Sequence, residues 1–251
     1  MAAAEAPSAG RPSASLPEGE VRVWLAGLDL EVETVERLAR LLSQDERERA
    51  GRFHFRRDAS RFMVSRAVLR TILGQCLGVE PNVVGFSAGQ WGKPALAAPF
   101  DLTGLQFNAS RSGWLGLYAV TRLGRVGVDI ECRRPLPDLD DVAERMFSAH
   151  ERQALRQLPP AQRPEAFFNC WTRKEAYVKA IGEGLSHPLD RFTVTLAPGA
   201  SVRLEHVEGD PAEAGRWTLE ALDPDPAYAA AIAVDGRPSG LVGLTWREHL
   251  A

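Results

Sequence analysis

The chain has 251 residues, which is enough for one large domain or for two small domains of roughly 100–130 residues each. Its 45% hydrophobic and 25% charged residues are ordinary for a globular protein, and its formal net charge of −3 gives no general argument for binding to nucleic acid or a membrane. No apolar run approaches the roughly 18–20 residues that span a bilayer. Any phosphate-binding site must therefore come from a local cluster of basic residues.

The N-terminus and the cysteines both bear on where the protein works. Residues 1–19 are rich in Ala, Pro, Ser and Gly and lack the apolar segment of a signal peptide, so we expect a disordered tail. The three cysteines are far apart and without metal-ligand spacing, which favours reduced thiols in a cytoplasmic protein. The five histidines form no HxxxH or HExxH pattern, so we expect no zinc site.

The N-terminal half, residues 20–122, alternates short strands with amphipathic helices. Ser43 and Glu46 form a capping box that starts one helix, and Gly74 or Gly78 ends the long helix that follows. The predicted strands are 21–28, 83–87, 105–110 and 115–121, and the predicted amphipathic helices are 33–42 and 59–74.

The C-terminal half, residues 123–251, follows a similar plan. Ser148 and Glu151 form a second capping box, and a long helix over 167–181 ends at Gly182. The predicted strands are 125–131, 192–196, 202–207, 217–222, 229–234 and 242–246.

The two halves share the order capping box, long helix and glycine, which suggests an internal duplication. Ser43 and Ser148 lie 105 residues apart, and Gly74 and Gly182 lie 108 apart, offsets that a three-residue insertion reconciles. Chance similarity between two amphipathic helices is the alternative. We expect an α+β fold of two similar halves related by a pseudo-twofold axis, each a small, mostly antiparallel sheet packed against a long helix.

Two acidic residues share one face of a predicted strand. Asp129 and Glu131 are two residues apart, so their side chains leave the same face, whereas Val128 and Ile130 point into the core. Two carboxylates on one face repel each other unless a cation lies between them. An isolated DxE pattern is more often a solvated strand face than a ligand pair.

The long helix of the C-terminal half adds a third carboxylate. Trp171, Glu175 and Lys179 are spaced four residues apart and therefore lie on one helix face. With Asp129 and Glu131, Glu175 completes three hard oxygen ligands of the kind that suit Mg²⁺, which often completes its shell with phosphate oxygens. The alternative is a surface Glu–Lys pair beside a buried tryptophan.

Basic residues could bind the phosphate groups beside the acidic residues, because a guanidinium group binds phosphate through two hydrogen bonds. Lys93 lies on a GKP turn, and Ser110 and Arg111 lie at a strand end. Several of the eight arginines between positions 47 and 70 are expected to be solvated helix faces, and a subset to bind phosphate: Arg47, Arg49, Arg52, Arg56, Arg57, Arg61, Arg66 and Arg70. Acidic residues that bind a metal ion, together with such basic residues, predict a site for a polyphosphorylated small molecule.

Over 42–192 the chain resembles the two-domain 4′-phosphopantetheinyl transferases of the surfactin-synthetase-activating type. The motifs that carry the resemblance are SQDERERAGRF, the GKP turn, FNASRS, GVDIE and FFNCWTRKEAYVKAIGEGLSHPLDRF. GVDIE and WxxKEAxxKA are specific as a pair, although neither is specific alone.

The resemblance implies transfer of the 4′-phosphopantetheine arm of coenzyme A to a serine of an apo acyl, peptidyl or aryl carrier protein, with release of 3′,5′-ADP. It implies that Asp129, Glu131 and Glu175 bind Mg²⁺, with Mn²⁺ as an alternative. Asp129, Glu175 and Lys179 are the implied catalytic residues, and Lys179 contacts the pyrophosphate. The base is either Glu175 or a water molecule held by the metal.

The resemblance also implies contacts with coenzyme A. Arg61 and Lys93 match residues that bind its phosphates, and we expect Lys174 to reach a phosphate from the side. Arg111 replaces a histidine that contacts the 3′-phosphate, and a guanidinium can make that contact with a permanent charge. The candidate cofactor-binding residues are Arg49, Arg61, Lys93, Ser110, Arg111, Lys174 and Lys179.

We expect a cytoplasmic monomer, because the interface that smaller relatives build between chains is internal here. Met146, Phe147 and the segment 158–164 are the expected carrier-protein surface, chosen by position. A noncatalytic coenzyme A-binding or regulatory protein is the main alternative. A nucleic-acid-binding module is a weaker one, because the chain is acidic and its clustered arginines lack interleaved aromatic residues.

Overall fold

The computed structural model describes residues 16–89, 91–184 and 187–247. The helices are α1 (Val32–Ala39), α2 (Gln44–Ala50), α3 (Arg56–Leu77), α4 (Leu139–Met146), α5 (Ala149–Gln157), α6 (Arg163–Ile181) and α7 (Glu213–Arg216). The strands are β1 (Glu20–Gly27), β2 (Phe86–Ala88), β3 (Pro94–Leu96), β4 (Gln106–Ser112), β5 (Leu115–Thr121), β6 (Val126–Cys132), β7 (Phe192–Val194), β8 (Leu204–Val207), β9 (Trp217–Leu222), β10 (Tyr228–Asp235) and β11 (Gly240–Thr245). Within these ranges, no helix is long and apolar enough to cross a bilayer.

The strands form two main sheets and two hairpins. One sheet has the order β11-β1-β5-β4 and the other has the order β6-β10-β9, whereas β2-β3 and β7-β8 pair separately. Every pair is antiparallel except β1 with β11, which is parallel. The predicted α+β class with small, mostly antiparallel sheets and long helices is therefore confirmed. The pseudo-twofold axis stays a prediction.

The last strand does not lie where the predicted boundaries put it. We assigned 123–251 to the C-terminal half, but β11 hydrogen-bonds to β1 and Trp246 is buried in the core of the N-terminal half. At the other end, Leu16 is also buried in that core, so the chain is ordered before the predicted end of the tail at residue 19. The rest of the predicted tail, residues 1–15, lies outside the described residues.

Each long helix ends at a glycine with left-handed backbone. Gly78 follows α3 with a φ of 69°, and Gly182 follows α6 with a φ of 83°, a conformation that glycine adopts without steric strain. Gly74, the alternative end predicted for α3, lies inside that helix. The corrected glycine pair is 104 residues apart, close to the 105 that separate Ser43 and Ser148.

The first capping box does more than start a helix. Glu46 accepts a hydrogen bond from the Ser43 backbone N–H at 3.1 Å, and it also pairs with two arginines of α3. Arg66 lies 2.5 Å and Arg70 lies 2.7 Å from the Glu46 carboxylate, which is almost fully buried. The same glutamate therefore caps α2 and ties it to α3.

The second capping box has the same arrangement. Glu151 accepts from the Ser148 backbone N–H at 2.7 Å and from the Val194 backbone N–H at 2.8 Å. Its carboxylate also lies 2.9 Å from the ammonium group of Lys174 in α6, and both side chains are at most 1% exposed. This pair therefore ties α5, α6 and β7 together inside the C-terminal half.

The two main sheets meet along β4 and β6, and the contacts described there are made by side chains of β4. The Asn108 side-chain oxygen accepts from the Val128 backbone N–H at 3.0 Å, and the Ser112 hydroxyl accepts from the Cys132 backbone N–H at 3.0 Å. Polar side chains of the N-terminal half therefore hold the strand that carries the GVDIE motif.

Helix α6 packs so closely on β6 that one position must be glycine. A Cβ atom at Gly127 would lie 2.1 Å from the Ala176 carbonyl oxygen and 2.4 Å from the Ala180 nitrogen. These atoms belong to the helix backbone, which cannot rotate away as a flexible side chain can. Gly127 therefore sets the distance between the strand and the helix that carry the acidic residues.

We predict that Gly127→Ala lowers the free energy of unfolding by roughly 1–3 kcal/mol, because an overpacked contact pushes α6 from β6. Urea unfolding followed by circular dichroism measures this change. Gly243→Ala in β11 is the matched control, since a Cβ atom there has no neighbour within 4 Å. Equal stabilities of the two variants would contradict the prediction.

Candidate active site

Asp129 is the most buried of the acidic residues in this region. Its side chain is 3% exposed, and Oδ1 accepts hydrogen bonds from the Ser110 hydroxyl at 2.9 Å and the Lys179 ammonium at 2.5 Å. Within the described residues, Oδ2 is buried and has no hydrogen-bond partner. Burial raises the pKa of Asp129, although the charge of Lys179 opposes this shift.

Glu131 and Glu175 join Asp129 in one acidic cluster. The Ser112 hydroxyl donates to Glu131 Oε2 at 2.9 Å. Burial raises the pKa of Glu131, and the negative charge of Asp129 raises it further. Burial also raises the pKa of Glu175, and the negative charges of Asp129 and Glu131 raise it further. The negative charge of Asp129 thus acts on both glutamates.

The acidic cluster fits a divalent cation by its chemistry. Across the described ranges, no three acidic, cysteine or histidine side chains are closed around a common point. However, the unpartnered oxygen of Asp129 and the mutual repulsion of three carboxylates are both relieved by a cation that hard oxygen ligands bind. Asp129, Glu131 and Glu175 are the residues that would hold it.

Two serine hydroxyls of β4 orient this cluster. Ser110, predicted to bind the cofactor, donates to Asp129 and accepts from Lys179 Nζ at 2.9 Å. The sequence analysis gave no role to Ser112, which holds Glu131. The pattern that reveals both serines is their alternate spacing with Asn108 on one strand, which places the three side chains on the same face.

A cavity of about 340 Å³ with basic walls, here called the cationic cavity, adjoins Lys179. Its polar lining includes Arg49, Arg66, Ser110 and Arg111, and its apolar lining includes Phe62, Leu69, Pro94 and Phe107. Burial lowers the pKa of Arg111, whose guanidinium lies 5.9 Å from the centroid of the Phe62 ring. Arg66 was not among the predicted site residues, because the sequence did not show which of eight arginines face inward.

Lys93 and Arg61 point to other partners in this structure. Lys93 Nζ donates to the carbonyl oxygens of Val126, at the start of β6, and Ala180, in the last turn of α6, each at 3.0 Å. Burial lowers the pKa of Lys93 to about 8. Arg61 makes two hydrogen bonds of 2.6 Å to Asp29. Their phosphate contacts stay predictions, and each requires the side chain to leave its present partners.

The phosphate contact predicted for Lys174 is wrong. Its ammonium is buried against Glu151 and donates to the carbonyl oxygens of Leu189 at 2.7 Å and Phe192 at 2.6 Å. A lysine held in this way does not reach a phosphate in the cationic cavity. The spacing placed Lys174 next to Glu175, but adjacent helix residues point about 100° apart, and this one points into the core.

The prediction that Phe147 belongs to the carrier-protein surface is also wrong. It is fully buried, and its ring stacks on that of Phe167 with centroids 5.2 Å apart, so it offers no surface to a carrier protein. Met146, predicted for the same surface, is 38% exposed.

We predict that Lys174→Met costs about 3–5 kcal/mol of stability, because it leaves the Glu151 carboxylate buried without its cation. Urea unfolding measures the loss. The double variant Glu151→Gln/Lys174→Met is expected to be more stable than Lys174→Met, since the unpaired charge is then absent. A single variant as stable as the wild type would contradict the proposed structural role.

We predict that Ser112→Ala weakens divalent-metal binding by about 10–100-fold, because the hydroxyl that orients Glu131 is lost. Calorimetric titration with Mn²⁺ measures the affinity without any enzymatic assay. Ser87→Ala is the matched control, since the Ser87 hydroxyl in β2 donates to the Leu96 carbonyl oxygen instead of a carboxylate. Equal Mn²⁺ affinity in both variants would show that Ser112 does not position Glu131.

Comparisons with known proteins cover both halves. The family model of the 4′-phosphopantetheinyl transferase superfamily matches residues 125–233, and the model of the N-terminal part of 4′-phosphopantetheinyl transferases matches residues 31–122. In structure, the holo-[acyl-carrier-protein] synthase of Thermotoga maritima is 23% identical with a TM-score of 0.37, covering 45% of this chain and 63% of that one.

Curated relatives match over most of the chain. The 4′-phosphopantetheinyl transferase HetI of a Nostoc species is 40% identical over 225 residues, which is 90% of this chain and 92% of HetI. A 4′-phosphopantetheinyl transferase of Bacillus subtilis is 32% identical over 198 residues, covering 78% of this chain and 84% of that protein. HetI matches nearly the whole chain, and the two family models match the N-terminal and C-terminal halves of the chain. The chain therefore belongs to the two-domain 4′-phosphopantetheinyl transferases.

Proposed function

We propose that the protein transfers the 4′-phosphopantetheine group of coenzyme A to a serine of an apo acyl, peptidyl or aryl carrier protein, releases 3′,5′-ADP and depends on Mg²⁺. Enzymes of this family use coenzyme A and generally depend on a divalent metal ion. The observation that carries the proposal is the acidic cluster of β6 and α6 beside the cationic cavity, a combination suited to a metal-bound polyphosphate. Both halves contribute from one chain, so we also propose a monomer.

In the proposed reaction, the serine oxygen forms a bond with the β-phosphorus of coenzyme A, and the bond from that phosphorus to the bridging oxygen breaks. The electron pair leaves with 3′,5′-ADP, and the serine proton passes to Glu175 directly or through a water molecule. When bound to Asp129, Glu131 and Glu175, Mg²⁺ supplies neutralisation of the pyrophosphate charge.

Lys179 is placed to assist the leaving group. Its ammonium lies against Asp129 and Ser110, and its side chain is 30% exposed and lines the cationic cavity. From this position it donates to a phosphate oxygen of the departing 3′,5′-ADP, on which negative charge develops. Arg49, Arg66 and Arg111 give the same cavity further positive charge for the nucleotide phosphates.

The test is mass spectrometry of an apo carrier protein incubated with the purified enzyme, coenzyme A and Mg²⁺. We expect a gain of one phosphopantetheine group, loss of the gain with a chelator, and its recovery when Mg²⁺ is restored. Asp129→Ala is expected to abolish transfer, whereas Asp223→Ala, at an exposed position after β9, is expected to leave it unchanged.

Two outcomes contradict the proposal. Unmodified carrier proteins across a panel, with coenzyme A still bound, would favour the alternative of a noncatalytic coenzyme A-binding protein. Full activity of Asp129→Ala would remove the acidic cluster from the reaction.

A further inference from the structure

Lys93 does not face the cavity that we assign to the phosphates. Among the described residues that line the cationic cavity, Pro94 is present but Lys93 is not. Lys93 lines instead a separate cavity of about 620 Å³, together with Arg125 and Gly182 near the end of α6. The lysine therefore points towards the C-terminal half, although the proline beside it borders the cationic cavity.

The N-terminal half holds the turn that carries Lys93. The Lys93 carbonyl oxygen accepts from the Gly89 backbone N–H at 2.9 Å, and Gly92 has a φ of 81°, which permits the tight turn. On either side of the turn, β2 pairs with β3, and Leu96 at the end of β3 is buried in the core of the N-terminal half. The backbone of Lys93 is thus fixed on the N-terminal half.

The ammonium group of Lys93 binds two backbone oxygens of the C-terminal half. One belongs to Val126 in β6 and the other to Ala180 in α6, each at 3.0 Å. Ala180 is one of the last four residues of α6, whose carbonyl oxygens have no partner within the helix. Burial lowers the pKa of Lys93 to about 8, so at neutral pH the group keeps the positive charge that a helix C-terminus favours.

Both oxygens lie at the contact between β6 and α6. Val126 directly precedes Gly127, and a Cβ atom at Gly127 would lie 2.4 Å from the backbone nitrogen of Ala180. Gly127 lets the helix approach the strand, and Lys93 binds both elements at the same place. The stem of Lys93 also packs on the end of α6, since a Cβ atom at Gly182 would lie 3.2 Å from Lys93 Cδ.

We propose that Lys93 is a positioning residue that fixes the acidic cluster by holding the end of α6 against the start of β6, an inference that rests on the proposed function. Lys179 directly precedes Ala180 on the helix. Asp129 lies two residues after Gly127 on the strand, and it pairs with Lys179 at 2.5 Å. A phosphate contact would require Lys93 to leave both carbonyl oxygens, and the oxygen of Ala180 would lose this donor.

Two titrations of the full chain separate positioning from phosphate binding. The first uses Mn²⁺ without coenzyme A, and the second uses 3′,5′-ADP with a chelator, so each ligand is bound without the other. Lys93→Met keeps an apolar stem but removes the donors. We expect it to lower the Mn²⁺ affinity by about 10-fold or more, because the carboxylates lose their spacing. We expect its affinity for 3′,5′-ADP to equal that of the wild type.

Arg203→Met is the matched control, because it removes one positive charge from a side chain that is 63% exposed in the segment before β8. We expect it to leave both affinities unchanged. Circular dichroism establishes that each variant is folded before the titrations. Lys93→Gln is a second variant, since its amide keeps a donor without the charge, and it takes the same titrations if Lys93→Met does not fold. We expect its Mn²⁺ affinity to lie between those of Lys93→Met and the wild type.

Steady-state kinetics at saturating Mg²⁺ gives a further readout. We expect Lys93→Met to lower kcat by up to about 100-fold, because a shift of about 1 Å in the reacting groups has an effect of this size. We expect its KM for coenzyme A to stay unchanged, since the side chain does not contact the phosphates.

The remaining outcomes separate the explanations. Weaker binding of 3′,5′-ADP by Lys93→Met with unchanged Mn²⁺ affinity would overturn the proposal in favour of a phosphate contact. Equal weakening of both ligands, which a general loss of structure explains, would also overturn it, and so would unchanged affinities for both. In each case, transfer by the wild type would leave the proposed function intact. Failure of the wild type to bind Mn²⁺ would overturn this proposal as well, and absence of transfer is the separate result that would overturn the proposed function.

Discussion

The geometry of the site depends on the close approach of α6 to β6 at Gly127. The glycine has no Cβ atom, so the backbone of α6 lies directly against the strand. Asp129 and Glu131 follow on that strand, and Glu175 and Lys179 flank the contact on the helix. The spacing of the three carboxylates is therefore set by backbone packing, which is stiffer than any arrangement of long side chains.

Contacts elsewhere in the structure orient the carboxylates and fix the helices around the site. Serine hydroxyls from β4 orient the carboxylates of β6, so the N-terminal half completes a site whose acidic residues all belong to the C-terminal half. Within each half, a capping-box glutamate is paired with cations of the long helix, Glu46 with Arg70 and Glu151 with Lys174. The helices that surround the site are thus fixed by buried ion pairs with satisfied hydrogen bonds.

Local patterns predicted the elements well and the tertiary placement less well. The alternation around Asp129 and the four-residue spacing around Glu175 depend on neighbours in sequence, and the structure has both. The phosphate contact predicted for Lys174 is wrong because helical spacing does not show which face of the helix is buried. The placement of β11 in the C-terminal half is wrong because strand pairing depends on residues far apart in the sequence. The sequence analysis predicts no helix over α4, although Leu139, Val142, Ala143 and Met146 have helical spacing.

The parallel pairing of β1 with β11 has a consequence for how the chain folds. During synthesis, β1 emerges long before its partner at Gly240–Thr245, since Glu20 pairs with Gly240, 220 residues later (240 − 20). Until then one edge of β1 lacks that partner, and an open strand edge favours pairing with other chains. The first sheet is therefore completed only after the C-terminal half has been made, which couples the folding of the N-terminal half to the synthesis of the C-terminal half.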